Sequence, residues 1–238
     1  MILGEGAMAS TMTDAITVAL HRALQAHESV DLLNVYKGMP VVYSATIRAI
    51  SEAGVQLQTT GYEAVSLVLD GHTTLLTRQL DQALRARLLR ADLAHNLITL
   101  EQLEFAGSHV GDRMMVRVAP REPIEVKFDC GGQSFSGVVS DLSINGLGVQ
   151  LPAHAATSVR PRMPAEMAFY LPHPGATTLY LKGTVRFVRP GGEHDQVGLM
   201  FSPDTSSQAL LRYVRGRQDE LLAELKAQYD ARVAAATQ

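Results

Sequence analysis

The chain has 238 residues, 46% hydrophobic and 19% charged, with 21 Lys+Arg against 24 Asp+Glu for a net charge of −3. That length suits one large or two small domains, two being the expectation, and that charge argues against a protein built to coat nucleic acid or an anionic membrane, so any anion site must be local. A single cysteine, Cys130, leaves no intramolecular disulfide, and no charged start followed by a long apolar run reads as a signal peptide or membrane span, which fits a cytoplasmic, reducing setting.

Residues 1–12 are small and featureless and read as a disordered leader. From Thr13 to about Glu28, Ile16, Leu20 and Leu24 fall on one stripe, with Thr13 as an N-cap, which predicts a short amphipathic helix. After Lys37-Gly38-Met39-Pro40, β-branched and aromatic residues dominate Val41 to Ile50. A turn at Ser51 to Gly54 and the alternation of Val55 and Leu57 with glutamines predict a half-buried antiparallel hairpin. Further strands are expected at 64–69, 73–77, 84–91 and 96–104, with Gly71 and His95-Asn96 at turns. Residues 84–91 are rich in helix formers, but the turn signals on both sides favour a strand. These elements make a first domain of residues 13–105.

The pattern then breaks into a polar, glycine-containing linker, residues 106–121. A second set of strands is expected at 124–129, 134–140, 147–151, 165–171, 179–188 and 196–201, with Cys130-Gly131-Gly132-Gln133 as a hairpin turn and proline-containing loops at 153–164 and 172–177. Six short strands so connected fit a small β-barrel. The chain closes, over 204–238, with an amphipathic helix from Ser206 to Ala227. Its stripe is Leu210, Val214, Leu221, Leu222 and Leu225, and Gly216 is a soft point. The fold expected is mainly β: two small antiparallel barrels in tandem, with a short N-terminal and a longer C-terminal helix.

Two motifs carry chemistry. Arg113 and Arg117 stand four residues apart in the linker, and Arg121 lies four further on. Guanidinium groups so spaced can wrap a ligand, pairing bidentately with phosphate or with guanine O6 and N7 and stacking on bases. Each charge-assisted contact is typically worth ~1.5–3 kcal/mol once desolvated. A solvated basic linker is the plainer reading of the same residues. The second motif is Asp141-x-Ser143-x-x-Gly146. A carboxylate and a hydroxyl at a strand end can read the N–H edge of guanine, while Gly146 permits close approach or a positive φ. An Asx-type turn feeding an Asn145-Gly146 hairpin needs the same residue types. Asp141, Ser143, Asn145 and Gly146 also match the opening of an EF-hand calcium loop. Its twelfth position, 141 + 11 = 152, is Pro152 instead of glutamate and its flanks read as strands, so calcium is rejected.

In this order and setting, with Val118 and Pro123-Ile124-Glu125-Val126 after the arginines and Leu147-Gly148-Val149 after Gly146, the two motifs resemble the R-x-x-x-R and D/N-x-S-x-x-G pattern of the PilZ family. Residues 183–189 and 196–201 are similar to that family's closing strands, so the resembling barrel is taken as 113–203. The resemblance implies a receptor for cyclic di-GMP in which Arg113 and Arg117 hold phosphates and guanine, Arg121 assists, and Asp141, Ser143 and Gly146 form the guanine-reading edge. Arg117 to Arg121 is itself an R-x-x-x-R; the first pair is preferred because an aliphatic residue and a short gap follow it before the first barrel strand. Relatives with an arginine directly before the first motif arginine bind a stacked nucleotide pair. Asp112 stands there instead and favours one ligand per protomer. More loosely, Gly38-x-Pro40-Val41, the hairpin and the domain order are similar to the N-terminal barrel of flagellar-brake proteins, with a generic β-sandwich as the alternative. The implied partner is an unidentified protein, the flagellar motor being the one domain order suggests, with recruitment to the flagellar basal body. The second reading is a nucleotide-independent adaptor in pilus assembly or polysaccharide secretion. No cofactor, metal site, nucleic acid or membrane insertion is expected. An enzyme is not expected either, because the eight histidines and Cys130 show no ligand or nucleophile spacing.

Overall fold

The computed structural model describes residues 5–107, 116–172, 176–203 and 207–236, with side chains from residue 14 onward. It divides into two units. Among the described residues the first takes those up to 36, 40–107 and 222 onward, and the second takes 37–39 and 116–221.

In the first unit, helix α1 (Glu5–Gln25) precedes strands β1 (Ser29–Tyr36), β2 (Met39–Ser51) and β3 (Gly54–Thr59), then helix α2 (Ala64–Asp70) and strands β4 (His72–Leu76), β5 (Leu84–Asp92) and β6 (Leu97–Phe105). The strands close an antiparallel barrel in the order β1-β2-β3-β6-β5-β4. Period-two alternation turns Val30, Leu32, Val41, Ala45, Ile47, Val55, Leu57, Leu84, Ala86, Ile98 and Leu100 inward, all nearly fully buried. Helix α1 buries Ile16, Ala19, Leu20 and Ala23, while Leu24 is only half-buried. It begins at Glu5, so residues 5–12 are helical where a disordered leader was expected.

Two further expectations are corrected here. The segment 64–69 is not a strand but α2. Ala64, Val65, Ser66 and Leu67 are buried in succession, which a strand cannot achieve with one face to solvent. Ser66 bonds the Glu63 carbonyl at 2.6 Å through its hydroxyl, and Gly71, at φ 73, ends the helix by donating to Leu67 O at 2.8 Å. Strand β1 escaped notice because an inward position carries Asn34. That side chain is 2% exposed, donates to His72 O at 2.6 Å and accepts from Thr73 Oγ1 at 3.0 Å and Tyr43 Oη at 3.3 Å. Burial, then the nearby Glu63 charge, push the Tyr43 phenol well above its ordinary range.

The second unit holds β7 (Glu125–Cys130), β8 (Gln133–Ser143), β9 (Gly146–Pro152), β10 (Pro164–Leu171), β11 (Thr177–Arg189) and β12 (His194–Phe201), closed in the order β10-β11-β12-β9-β8-β7. Its core is Val126, Phe128, Leu147, Val149, Leu151, Met167, Phe169, Val185, Val197, Leu199 and Phe201. Gly131 and Gly132, at φ 60 and 76, make the expected hairpin turn between Cys130 and Gln133. Cys130 is buried, which raises its thiol pKa.

Helix α3 (Gln208–Ala236) runs past the expected end at Ala227 and through Gly216 without a break. It buries Leu210, Tyr213, Val214, Leu221 and Leu225, and counts with the second unit up to Leu221 and with the first from Leu222. No helix among the described residues is long and apolar enough to cross a membrane.

Candidate functional site

The site starts from a fault in the β8 ladder. Pairing with β9 shifts register between Val139 and Asp141, a bulge that re-aims the side chains of this strand end. Asp141 then stands opposite Gly148 of β9. A Cβ at Gly148 would lie 2.5 Å from Asp141 Oδ2 and from Ser140 Oγ, so glycine makes the space the carboxylate occupies. Ser140 Oγ donates to Asp141 Oδ2 at 3.2 Å.

Arg117 reaches the same carboxylate. Its neighbour Val118, 0% exposed, forms an isolated antiparallel bridge with Leu142 through two 2.9 Å bonds, Val118 N to Leu142 O and Leu142 N to Val118 O. This fixes Arg117 beside β8, where Nη1 donates to Asp141 Oδ1. The two side chains retain 28% and 30% exposure, so the pair is reachable from solvent. Residues 116–121, expected as linker, are thus anchored to the second barrel in their middle. Arg121 is exposed, whereas the Tyr213 phenol of α3 belongs to a buried residue. Burial is the main influence on that phenol and raises its pKa. Arg113 lies outside the described residues.

Ser143 and Gly146 take structural places. Ser143 is 1% exposed; its hydroxyl donates to Gly146 O at 3.0 Å and accepts from Asn145 N at 3.3 Å, closing the hairpin between β8 and β9. The turn residues are Ile144 and Asn145, not the expected Asn145-Gly146, since Gly146 already pairs with Ser143 in the ladder. Gly146 is required for close approach, not for a positive φ: a Cβ there would meet the Leu199 carbonyl oxygen at 2.3 Å. The structure therefore brings Arg117 and Asp141 together, with Ser143 and Gly146 as the pair that closes the β8–β9 hairpin.

The outer face of the barrel continues the site beyond the motifs. Gly148 pairs with Gly198 of β12, and Gly198 pairs with Phe187 of β11. A Cβ at Gly198 would sit 2.3 Å from the Phe187 ring, and the Arg189 guanidinium lies 4.7 Å from that ring's centroid. Asp141, Gly148, Gly198 and Phe187 therefore form one row across four strands, about 14 Å at ~4.8 Å per strand spacing. Both glycines are buried beneath their neighbours, Gly148 under Asp141 and Ser140 and Gly198 under the Phe187 ring, so the row joins a carboxylate–guanidinium pair to an aromatic ring that carries a second guanidinium. Sequence reasoning missed Gly198, Phe187 and Arg189. The signal was a glycine inside each of two aliphatic strands, Leu147-Gly148-Val149 and Val197-Gly198-Leu199, which marks close approach by something. Such a row offers donors to an anion, an acceptor to ring N–H groups and a stacking surface to a planar ring. Among the described residues no group of three or more His, Cys, Asp or Glu is placed to hold a metal ion.

No curated protein matches the chain. Among solved structures it is similar to the Bacillus subtilis inhibitor of motility MotI/DgrA, at 16% identity and TM-score 0.40 over 82% of this chain and 97% of that one. It is similar to Escherichia coli YcgR in complex with c-di-GMP, at 14% identity and TM-score 0.38 over 94% and 93%. A third likeness is to the K. pneumonia MrkH–c-di-GMP complex, at 12% identity and TM-score 0.41 over 91% and 96%. The family model of the PilZ domain matches residues 112–216, a span that contains both motifs, the Val118–Leu142 bridge and every strand of the second barrel. Residues 112–216 of this chain are a PilZ domain.

Proposed function

We propose that the chain is a receptor for cyclic di-GMP that regulates a protein partner and performs no catalytic step. The observation that carries this reading is the Arg117–Asp141 pair, held at the surface of a PilZ barrel by the Val118–Leu142 bridge. A partly exposed ion pair contributes only ~0–1 kcal/mol. Charge-assisted bonds to a ligand are worth ~1.5–3 kcal/mol each. Exchanging the internal pair for Arg117 on phosphate or guanine O6/N7, and Asp141 on guanine N–H groups, is therefore favourable. Arg113 and Arg121 extend the phosphate grip. Ser143 and Gly146 act by shaping the turn that presents Asp141, and a second guanine stacks over Phe187 and Arg189 at ~1–3 kcal/mol. Asp112 stands where a further cation would favour a second nucleotide, so one ligand binds per protomer.

Binding draws the Arg113–Arg121 segment onto the barrel and, because that segment joins the two barrels in sequence, changes their relative orientation to present a surface to the partner. The domain order and the loose likeness of residues 13–105 to the flagellar-brake barrel support a role in motility, with the flagellar motor as partner.

Calorimetric titration of cyclic di-GMP tests the reading. Wild type is expected to bind saturably at one per protomer, and folded Arg117→Ala and Asp141→Ala variants to bind at least about tenfold more weakly, each tenfold being 1.4 kcal/mol. Small-angle scattering with and without ligand tests the reorientation. Folded wild type that binds nothing overturns the receptor reading in favour of the nucleotide-independent adaptor.

A further inference from the structure

Arg217, one residue beyond the matched family span, is a charged side chain that the motifs do not explain. It lies on the part of α3 that belongs to the second unit and is 5% exposed. Its Nε donates to the Ala119 carbonyl at 3.0 Å, and Nη1 donates to Glu220 Oε2 at 2.8 Å, Glu220 itself being half exposed. Withdrawing a guanidinium from water is costly, and an apolar residue would fill the same space without that cost. Arginine adds a directed bond to Ala119, two residues after Arg117.

That carbonyl matters because of what surrounds it. Val118, immediately before it, turns its amide and carbonyl to Leu142 of β8. The segment carrying Arg117 and Arg121 is therefore held from β8 through Val118 and from α3 through Arg217. Without Arg217, the Ala119 carbonyl loses the donor that α3 supplies, and Arg117 loses a fixed backbone next to its own.

We propose that Arg217 is a positioning residue for the ligand site: it clamps the 117–121 segment so that Arg117 meets the nucleotide beside Asp141, and ligand occupancy in turn tightens α3. The proposal rests on the cyclic di-GMP reading. The coupling is reciprocal by linkage, so whatever α3 contributes to affinity, the ligand returns as stability of α3.

The test compares the full-length chain with Arg217→Ala, Arg217→Lys and Glu220→Gln, and with Val214→Ala as a control that loosens the same helix without touching Ala119. Cyclic di-GMP is titrated into each at a temperature where all are folded, and amide exchange of residues 116–121 and 210–221 is followed with and without ligand. Arg217→Ala is expected to weaken binding about tenfold and to abolish ligand-induced protection of α3. Arg217→Lys, which still offers a donor, recovers part of the affinity. Glu220→Gln and Val214→Ala bind within about twofold of wild type, a factor equal to no more than ~0.4 kcal/mol. The proposal is overturned if Arg217→Ala binds like wild type, or if Val214→Ala loses as much affinity. A wild type that does not bind overturns the receptor reading instead. Exchange of residues 116–121 in the ligand-free protein then separates the two failures, since it reports directly whether Arg217 holds the segment.

Discussion

At the level of single residues, the proposed ligand surface of the second barrel is shaped by absent side chains as much as by charged ones. Gly148 illustrates it: the volume its missing Cβ would fill is occupied by the Asp141 carboxylate and the Ser140 hydroxyl, each 2.5 Å from that point. An alanine there does not strain the backbone, because Gly148 is not among the residues with positive φ. It displaces a side chain at the end of a flexible bond, so the effect falls on geometry and not on the fold. Gly148→Ala is therefore expected to lower cyclic di-GMP affinity by about tenfold, in line with loss of one charge-assisted contact of ~1.5–3 kcal/mol, while changing the unfolding midpoint little. Titration calorimetry and a urea melt on the same sample check both halves. The opposite balance holds at Gly146, where the obstacle is a backbone oxygen of Leu199 that cannot move aside. Sequence reading recognised Gly146 as a motif residue but could not show that its constraint comes from a strand more than fifty positions away.

Elements were legible where their inner faces are uniformly apolar, and hidden where a polar residue sits inside. β7 and β10 alternate cleanly and lie within a few residues of their expected positions. β1 does not, because Asn34 takes a core position and is satisfied by partners on other strands. α2 failed for a different reason: seven residues are too few to reveal a period, and Gly71 reads equally well as a hairpin turn or a helix C-cap. The loop between β9 and β10 shows the same limit. Expected only as a proline-containing connection, it is tied to β12 by Asp195, whose carboxylate is 3% exposed and accepts from Ala156 N at 3.0 Å and Gly191 N at 3.4 Å. The Ala156 bond first, with help from Gly191 and His154, holds this carboxyl below the usual range. A lowered folded pKa means stability that is full above the unfolded carboxylate value and lost as pH falls through the folded one. Replacing Asp195 with Asn should thus destabilise the protein at pH 7 and flatten its loss of stability as pH falls below the ordinary carboxylate range, read from urea midpoints over an acid series.

Across the whole molecule, neither unit is a continuous stretch of sequence, and α3 contributes to both. Its last turns complete the first unit. Leu225 is fully buried, Gln228 donates to Tyr36 Oη at 3.0 Å, and Tyr229 Oη donates to Asn96 Oδ1 at 2.8 Å and to Leu93 O at 3.3 Å. The domain expected from sequence as 13–105 therefore lacks a piece, a fact no local pattern could carry because it concerns the pairing of distant segments. A chain ended at residue 203 keeps all twelve strands yet loses this piece. It is expected to show faster cleavage after Leu93 than the full chain, measured by timed chymotrypsin digestion and mass spectrometry. The same arrangement sets a schedule for biosynthesis. Domains emerging from the ribosome generally fold in order, amino-terminal first. Here the first barrel to be made is among the last to be finished, since the residues that meet Tyr36, Leu93 and Asn96 are translated only after every strand of the second. The nascent chain must carry an incomplete barrel through the synthesis of a whole neighbouring domain, and both units reach their final form with the arrival of one helix.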